Sequence, residues 1–369
     1  MMRPSTDVLV VGGGPAGLAL AIAARQQGLS VVLADAQRPP IDKTCGEGLM
    51  PDAVKALRGL GVHLDAGEAY RFRGIRFVAG ASTAAAEFPR GTWGLGVRRT
   101  ALHRALASRC EDFGVECLWG QSVEGISGNR VFMKDRMIQA RWIVGADGAQ
   151  SRVRRWAGLD SLRSHRLRYA FRQHYSVAPW TDHVEVYWSQ AGQIYVTPVG
   201  DDQVGVALIS PNPKLRVQEA LNLFPLLAAR LASARASSRQ GGAVTGMKKF
   251  RRVCSGNIAL VGDASGTVDA ITGEGLGLGF RQAVLLADCL CAGDLGRYQS
   301  RHARLSQRLR LIGRMLLALD GRPRLQQRTL RVFRQRPELF AKMLALHIGA
   351  PASGFARNAF ELGWNLLTT

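Results

Sequence analysis

Asp7-Val8-Leu9-Val10-Val11-Gly12-Gly13-Gly14-Pro15-Ala16-Gly17 decides the fold of this chain. A short apolar run ends in glycines, and a helix-forming stretch opens at Pro15, whose fixed φ suits a first helical turn. The spacing Gly12-x-Gly14-x-x-Gly17 gives each glycine a task. Gly12 permits a tight turn, Gly14 lets backbone approach a pyrophosphate, and Gly17 allows close packing of helix on strand. Pro15 and Ala16 begin the helix, so its free N–H groups and partial positive charge face the phosphates. Leu18, Ile22 and Ala23 share one helix face, Gly28 ends the helix, and Ser30 to Leu33 reads as the next strand. The order is βαβ, which predicts a right-handed crossover and a parallel sheet. Asp35 follows 18 residues after Gly17, where a carboxylate binds a ribose hydroxyl. The unit predicts a dinucleotide ligand; a purely structural glycine turn is the competing reading.

Outward from this unit, Arg98 to Phe113 has helical periodicity and closes at Gly114. Trp142 to Gly145 and Ile258 to Val261 read as buried strands, running into Asp147-Gly148 and Gly262-Asp263, and a long helix is expected from Glu274 to Cys291. Tyr70 to Phe77 and Tyr169 to Ile209 alternate and are rich in β-branched and aromatic residues, as strands of an antiparallel sheet are. The fold class is therefore α/β with an α+β substrate domain. A Rossmann-like nucleotide domain (1–68, 96–160 and 252–296) is interleaved with a mainly antiparallel β-sheet substrate domain (69–95 and 161–251). A basic helical C-terminal region (297–369) follows.

With 369 residues and 47% hydrophobic composition, the chain can bury a large core. Apolar runs such as Leu311 to Leu319 are broken by Arg314 and are shorter than the roughly 20 residues of a membrane span. Arg3 and Pro4 precede a strand rather than a secretory leader, so a cytoplasmic location is expected, with peripheral membrane contact left open. The six cysteines lack metal-ligand spacing, and no metal site is expected. Net charge is +21, and residues 297–342 hold twelve arginines and one lysine against Asp320 and Glu338. Leu305, Leu309, Ile312, Leu316 and Leu319 recur there at helical spacing. A solvated helix face and a dock for an anionic membrane or acidic carrier, at Arg301, Arg304 and Arg308, are the competing readings. Nucleic-acid binding is set aside, because no nucleic-acid motif accompanies the charge.

Two later segments specify the nucleotide. Val144 to Arg154, containing Asp147-Gly148, resembles the DG motif of the p-hydroxybenzoate hydroxylase superfamily of flavoproteins, and Leu260 to Gly266, containing Gly262-Asp263, resembles its GD motif. The resemblance covers about residues 5 to 295 and implies FAD as cofactor, with Asp263 at the ribityl hydroxyls. It also implies a polar side chain against the flavin at the start of the helix near Arg98, and Arg99 is the choice over Arg98. Within the superfamily the chain looks most like geranylgeranyl reductase-like enzymes. Cys45-Gly46-Glu47-Gly48 is similar to their C-G-[DE]-G segment beside the isoalloxazine, and Thr272-Gly273-Glu274-Gly275, followed by Leu276, is similar to their T-G-E-G loop. The glycines Gly273 and Gly275 let backbone N–H groups approach the flavin edge. Cys45 is either an acid beside the flavin or a small packer; Glu47 either donates a proton or caps the helix near Pro51. Gln193 to Pro198 stands where those reductases carry Y-x-W-x-F-P, retaining only Tyr195 and Pro198 as candidate site residues.

The leading expectation is a monooxygenase working through a flavin C4a-hydroperoxide on a lipophilic aromatic or polyketide-like small molecule. The alternative is reduction of carbon–carbon double bonds in an isoprenoid or lipoquinone. A non-redox lipid- or protein-binding module on the same fold is a minor one. With one G-x-G-x-x-G, the chain has no second nucleotide domain, so NAD(P)H must bind transiently or a separate flavin reductase must supply electrons.

Overall fold

The computed structural model describes residues 5–65, 67–163 and 167–349. Arg3, Pro4 and the last twenty residues of the expected C-terminal region lie outside them.

Thr6–Val11 pairs in parallel with Val31–Asp35 on one side and with Arg136–Gly145 on the other. Glu116–Trp119 and Ile258–Leu260 extend this parallel sheet in the two directions. The first strand is thus a switch point, from which chain connections leave to opposite sides, and ligands bind beyond the carboxyl ends of such strands. Two glycines of the first turn are there for steric reasons. Gly12 has φ +114°, and a Cβ on it would lie 2.5 Å from the Ala146 carbonyl oxygen. A Cβ on Gly17 would collide with the Gly12 carbonyl. Pro15–Gln26, Arg99–Asp112 and Gly275–Cys291 cover the sheet, burying Leu18, Ile22, Leu102, Leu106, Phe280 and Leu286 completely.

The second sheet runs in the order Arg168–Ser176, Gln203–Ser210, Gly192–Gly200, His183–Ser189, Gly74–Ala79 and Ser82–Glu87. Its pairs are antiparallel except His183–Ser189 with Gly74–Ala79, which are parallel. Against it pack Pro323–Gln335 and Pro337–His347, through Leu330, Phe333, Leu339, Phe340 and Leu344.

The arginine-rich region is three helices, beginning with Leu295–Leu319. Tyr298, Ser306, Leu309 and Gly313 face the interior, while Ile312, Met315, Leu316 and Leu319 line the main cavity. Of the apolar stripe read from the sequence, Ile312, Leu316 and Leu319 are therefore cavity wall, while Leu305 and Leu309 pack against Val268 and Leu278. Arg301 and Arg304 are exposed, but Arg308 is half-buried, 3.6 Å from Asp52, which removes it from any free basic surface.

Candidate active site

A cavity of about 1580 Å³ opens at the carboxyl ends of the parallel strands and continues between the second sheet and the C-terminal helices. Pockets for one small ligand are typically about 300–1,000 Å³, so this space holds a cofactor and a second molecule.

Gly12, Gly14, Pro15, Ala16 and Asp35 line one end; Gly17 does not, because its role is the close packing of helix on turn. A Cβ on Gly14 would meet nothing within 4 Å, so its backbone is open to a ligand. Asp35 accepts a 2.6 Å hydrogen bond from Gly13 N, which ties the turn to the second strand. His103, unnoticed in the sequence, sits 2.8 Å through Nε2 from the Gly13 carbonyl oxygen and holds the turn from the other side. Asp147, Gly148, Gly262 and Asp263 complete this end. Asp147 Oδ2 accepts from Arg152 N (2.7 Å) and Val153 N (3.1 Å), and its buried Oδ1 has no protein partner. Asp263 pairs with Lys43 at 3.0 Å. Arg99 lines the cavity and Arg98 does not; Arg99 is 7% exposed, and its Nε lacks a protein partner. Burial pushes the Arg99 guanidinium pKa down, opposed by Cys45, Asp263 and Asp42. Buried polar atoms without partners at a cavity wall are seats for a polar ligand.

Two loops meet at the middle of the cavity. Cys45, Gly46, Glu47 and Gly48 form one; Thr272, Gly273, Glu274, Gly275 and Leu276 form the other. The Cys45 thiol accepts from Glu47 N at 3.3 Å, and burial pushes its pKa up, so it stays protonated. Glu47, with φ +60°, is 2% exposed. It accepts from Arg172 Nη1 (2.8 Å), His174 Nε2 (2.6 Å) and Arg99 N (2.8 Å). Burial opposes its ionisation, yet these hydrogen bonds and the charges of His174 and Arg172 outweigh it, and its pKa is lowered. Two expectations are corrected: Glu47 is a carboxylate and not a proton donor, and it caps the helix at Arg99 rather than the one at Pro51. Arg172 also pairs with Asp42 at 2.8 Å. No local pattern announces Arg172 or His174. They face Glu47 because residues two apart on a strand share a face.

Glu274 is 1% exposed and its pKa is pushed up to about 8, first by burial and then by the nearby Asp52 charge. Its Oε2 is 3.5 Å from Arg281 and its Oε1 is 3.8 Å from His347 Nε2. His347 donates from Nε2 to the Thr272 carbonyl at 2.9 Å, and burial lowers its pKa to about 4. The last helix therefore holds the second loop in place through a neutral imidazole.

Beyond the loops the cavity floor is the second sheet, with Thr197, Tyr195 and Gln193 on one face of one strand. Thr197 Oγ1 donates to the Gly46 carbonyl (2.8 Å), Tyr195 OH to the Ile271 carbonyl (2.9 Å), and Gln193 Nε2 to Asp320 (3.1 Å). Their polar atoms are thus used within the protein. Pro198 points to the other face, is buried and does not line the cavity, so it leaves the candidate set in favour of Thr197. The remaining walls include Val184, Val186, Trp188, Phe77, Leu316 and Phe340.

The FAD binding domain family matches residues 5–297. The chain belongs to this family. It is an FAD-dependent oxidoreductase of the p-hydroxybenzoate hydroxylase superfamily. It is 30% identical over 326 residues to menaquinone reductase of Mycobacterium tuberculosis, covering 79% of this chain and 78% of that one. The fold is shared with flavin-dependent brominase Bmp2, at a TM-score of 0.76 and 18% identity, with 96% of each chain covered. It is shared equally with a geranylgeranyl bacteriochlorophyll reductase-like protein from Thermoplasma acidophilum, at a TM-score of 0.75 and 19% identity over 98% of this chain and 99% of that one. FAD fits the cofactor end: the open backbone at Gly14, the carboxylate of Asp35 and the unpartnered buried atoms on Asp147 and Arg99 line it and would hold the polar groups of the cofactor.

Proposed function

We propose that this flavoprotein reduces a carbon–carbon double bond in the isoprenoid part of a lipophilic molecule such as a lipoquinone. One observation carries the reading: the polar side chains on the cavity floor spend their hydrogen bonds on the protein, so an apolar chamber continues from the two loops. The reductase named among the relatives supports the same choice. A hydroxylase, the reading that leads from sequence alone, would orient its substrate with free polar groups; the hydroxyl of Tyr195, the expected site residue here, is bonded to the Ile271 carbonyl, and the neighbouring Gln193 to Asp320.

Reduced FAD supplies hydride when bound. The chain's own part is to hold the double bond in a dry slot and deliver a proton. Gly46, Gly273 and Gly275 bring backbone to the cofactor edge, and Cys45 Sγ is the proton source. Where bound reduced FAD would supply hydride to one alkene carbon, Cys45 Sγ would give its proton to the neighbouring carbon and would regain it from water. Electrons come from NAD(P)H, which binds transiently, or from a separate flavin reductase; NAD(P)H bleaching of the flavin in anaerobic protein separates the two.

The test uses photoreduced protein and a polyprenyl quinone without oxygen. Flavin reoxidation in step with alkene loss is expected, and a requirement for oxygen, with a hydroxylated product, overturns the proposal. Cys45→Ala should slow alkene reduction on the order of 10²–10⁴-fold with FAD content retained.

We propose further that substrate arrives from an anionic membrane surface. Leu167 and Val244 line the cavity while remaining 51% and 55% exposed, and Arg301 and Arg304 are exposed on the long helix. No helix among the described residues is long and apolar enough to cross a membrane. Salt-sensitive sedimentation with phosphatidylglycerol vesicles but not phosphatidylcholine vesicles is expected. Equal sedimentation with both, or binding only to an acidic carrier protein, overturns the membrane version.

A further inference from the structure

The apolar chamber has a defined length. Thr197, bonded to Gly46, marks its start at the Cys45 loop, and Gln193, four residues back on the same strand face, marks its far end. Four residues of extended strand at roughly 3.3 Å each span about 13 Å. Across the floor, Tyr195 registers with Val186 and Gln193 with Trp188, while Val186 registers with Phe77 on the next strand. The floor therefore advances row by row from the flavin-side loop to Trp188.

At Trp188 the chamber is walled. Phe77 stacks on Trp188 with centroids 4.4 Å apart, Phe340 stacks on Phe77 at 5.4 Å, and Phe333 stacks on Phe340 at 4.4 Å and 7°. Phe77 and Trp188 belong to the sheet; Phe333 and Phe340 belong to two C-terminal helices. Four rings that all line the cavity thus run continuously from floor to roof.

Beside this wall the lining turns polar, at Gln193 and Asp269. The turn at Asp320 and Gly321 seats on the 189–192 hairpin, where Gln193 and Arg168 both bind Asp320 (3.1 and 3.0 Å). A Cβ on Gly321 would lie 3.7 Å from the Gln190 carbonyl oxygen, and Arg168 also reaches Asp269 at 3.4 Å. A hydrocarbon pushed into this cluster would separate buried charges from their partners, which is strongly unfavourable.

We infer that the ring stack Trp188, Phe77, Phe340 and Phe333 is a chain stop that fixes how much isoprenoid lies beyond the double bond held at Cys45. The inference rests on the proposed alkene reduction for its consequence, regiochemistry counted from the buried chain end, but not for the stop itself. About 13 Å takes on the order of ten chain carbons at roughly 1.3 Å rise per carbon.

The experiment titrates FAD-loaded protein with isoprenoid alcohols of increasing length (geraniol, farnesol, geranylgeraniol) and reads binding from perturbation of the flavin spectrum. Affinity should climb with each added unit, by up to roughly fourfold per buried methylene, and then stop climbing. In Phe340→Ala the length at which it stops should move up by about one isoprene unit; Phe340→Leu, which keeps the site apolar, should move it less. Trp188→Phe, which keeps a ring, should leave it unmoved. FAD content and melting temperature report folding of each variant. A profile that loses affinity equally at every length in Phe340→Leu overturns the stop, whatever the enzyme reduces. A stepped profile without anaerobic turnover supports the stop and overturns the reduction. With turnover, the reduced double bond in Phe340→Ala should lie one unit further from the buried end.

Discussion

The Gly46-Glu47-Gly48 and Gly273-Glu274-Gly275 loops face one cavity from opposite sides, and their glutamates are held in opposite charge states. Both carboxyls are almost fully buried, so desolvation acts against ionisation in each. The difference is in the partners. Glu47 accepts short bonds from Arg172, His174 and a helix N-terminus, each favouring the anion. Glu274 has a long contact to Arg281, a neutral His347 near one oxygen and the charge of Asp52 nearby. Arg281 is drawn instead to Asp52, its nearer partner. A buried glutamate is thus a charged anchor or an uncharged hydrogen-bonding group according to what the fold places around it. Here the anchor positions the Cys45 loop, and the uncharged group sits under the loop at the cofactor edge.

Breaking the anchor should have the largest effect. Glu47→Ala leaves the buried His174 Nε2 without its carboxylate and Arg172 with Asp42 alone, and should cost about 3–5 kcal/mol in denaturant unfolding. A loss below about 1 kcal/mol would mean that water reaches the pair and that the contrast with Glu274 is overstated. Next, His347→Ala removes the bond to the Thr272 carbonyl, at a cost of about 1–3 kcal/mol, and should loosen the Thr272 loop, read as faster amide exchange at Gly273 and Gly275.

The smallest effect at acidic pH should be Glu274→Gln. Near pH 5 the native carboxyl is already protonated, so the variant should match wild type within about 1 kcal/mol. The pH dependence then separates the loops. The Glu274 pKa rises from 4.5 unfolded to about 8 folded, so between those values the unfolded chain has released a proton that the native chain retains. Wild-type stability should fall relative to Glu274→Gln across that window and run parallel above it. Glu47 has the opposite sign: its pKa lies below 4.5 in the native state, so its contribution is complete above pH 4.5 and disappears as pH falls through the lowered value. Difference curves of the same slope for both glutamates would erase the comparison.

Much of the nucleotide end was legible from sequence. Gly12, Gly14, Gly17 and Asp35 act through local geometry, and a turn that excludes Cβ atoms leaves its signature in consecutive residues. The DG and GD segments follow strands in the same way. The choice of Arg99 over Arg98 also agrees with the cavity, since adjacent residues at a helix start point in different directions. The middle of the site was half legible: the two G-E-G loops stand out, but His103, Arg172, His174 and His347 come from distant strands and helices with no spacing to betray them. The far end was misread most. Pro198 carried a motif but faces away, and the C-terminal helix, whose Arg301 and Arg304 are exposed in line with the solvated-face reading, also lines the cavity with Ile312 and Leu316, a use its spacing alone did not announce.

By itself the sequence determined the dinucleotide fold and the presence of two glutamate loops, because backbone sterics and strand-turn-helix order are local properties, while FAD came from the resemblance of the Asp147-Gly148 and Gly262-Asp263 segments to a known superfamily. Only the tertiary structure decided that Glu47 is charged, that Glu274 is protonated, and that Tyr195 and Gln193 present an apolar floor. Charge and polarity inside a protein are set by desolvation and by partners brought in from across the chain, and neither is written at the residue that carries them.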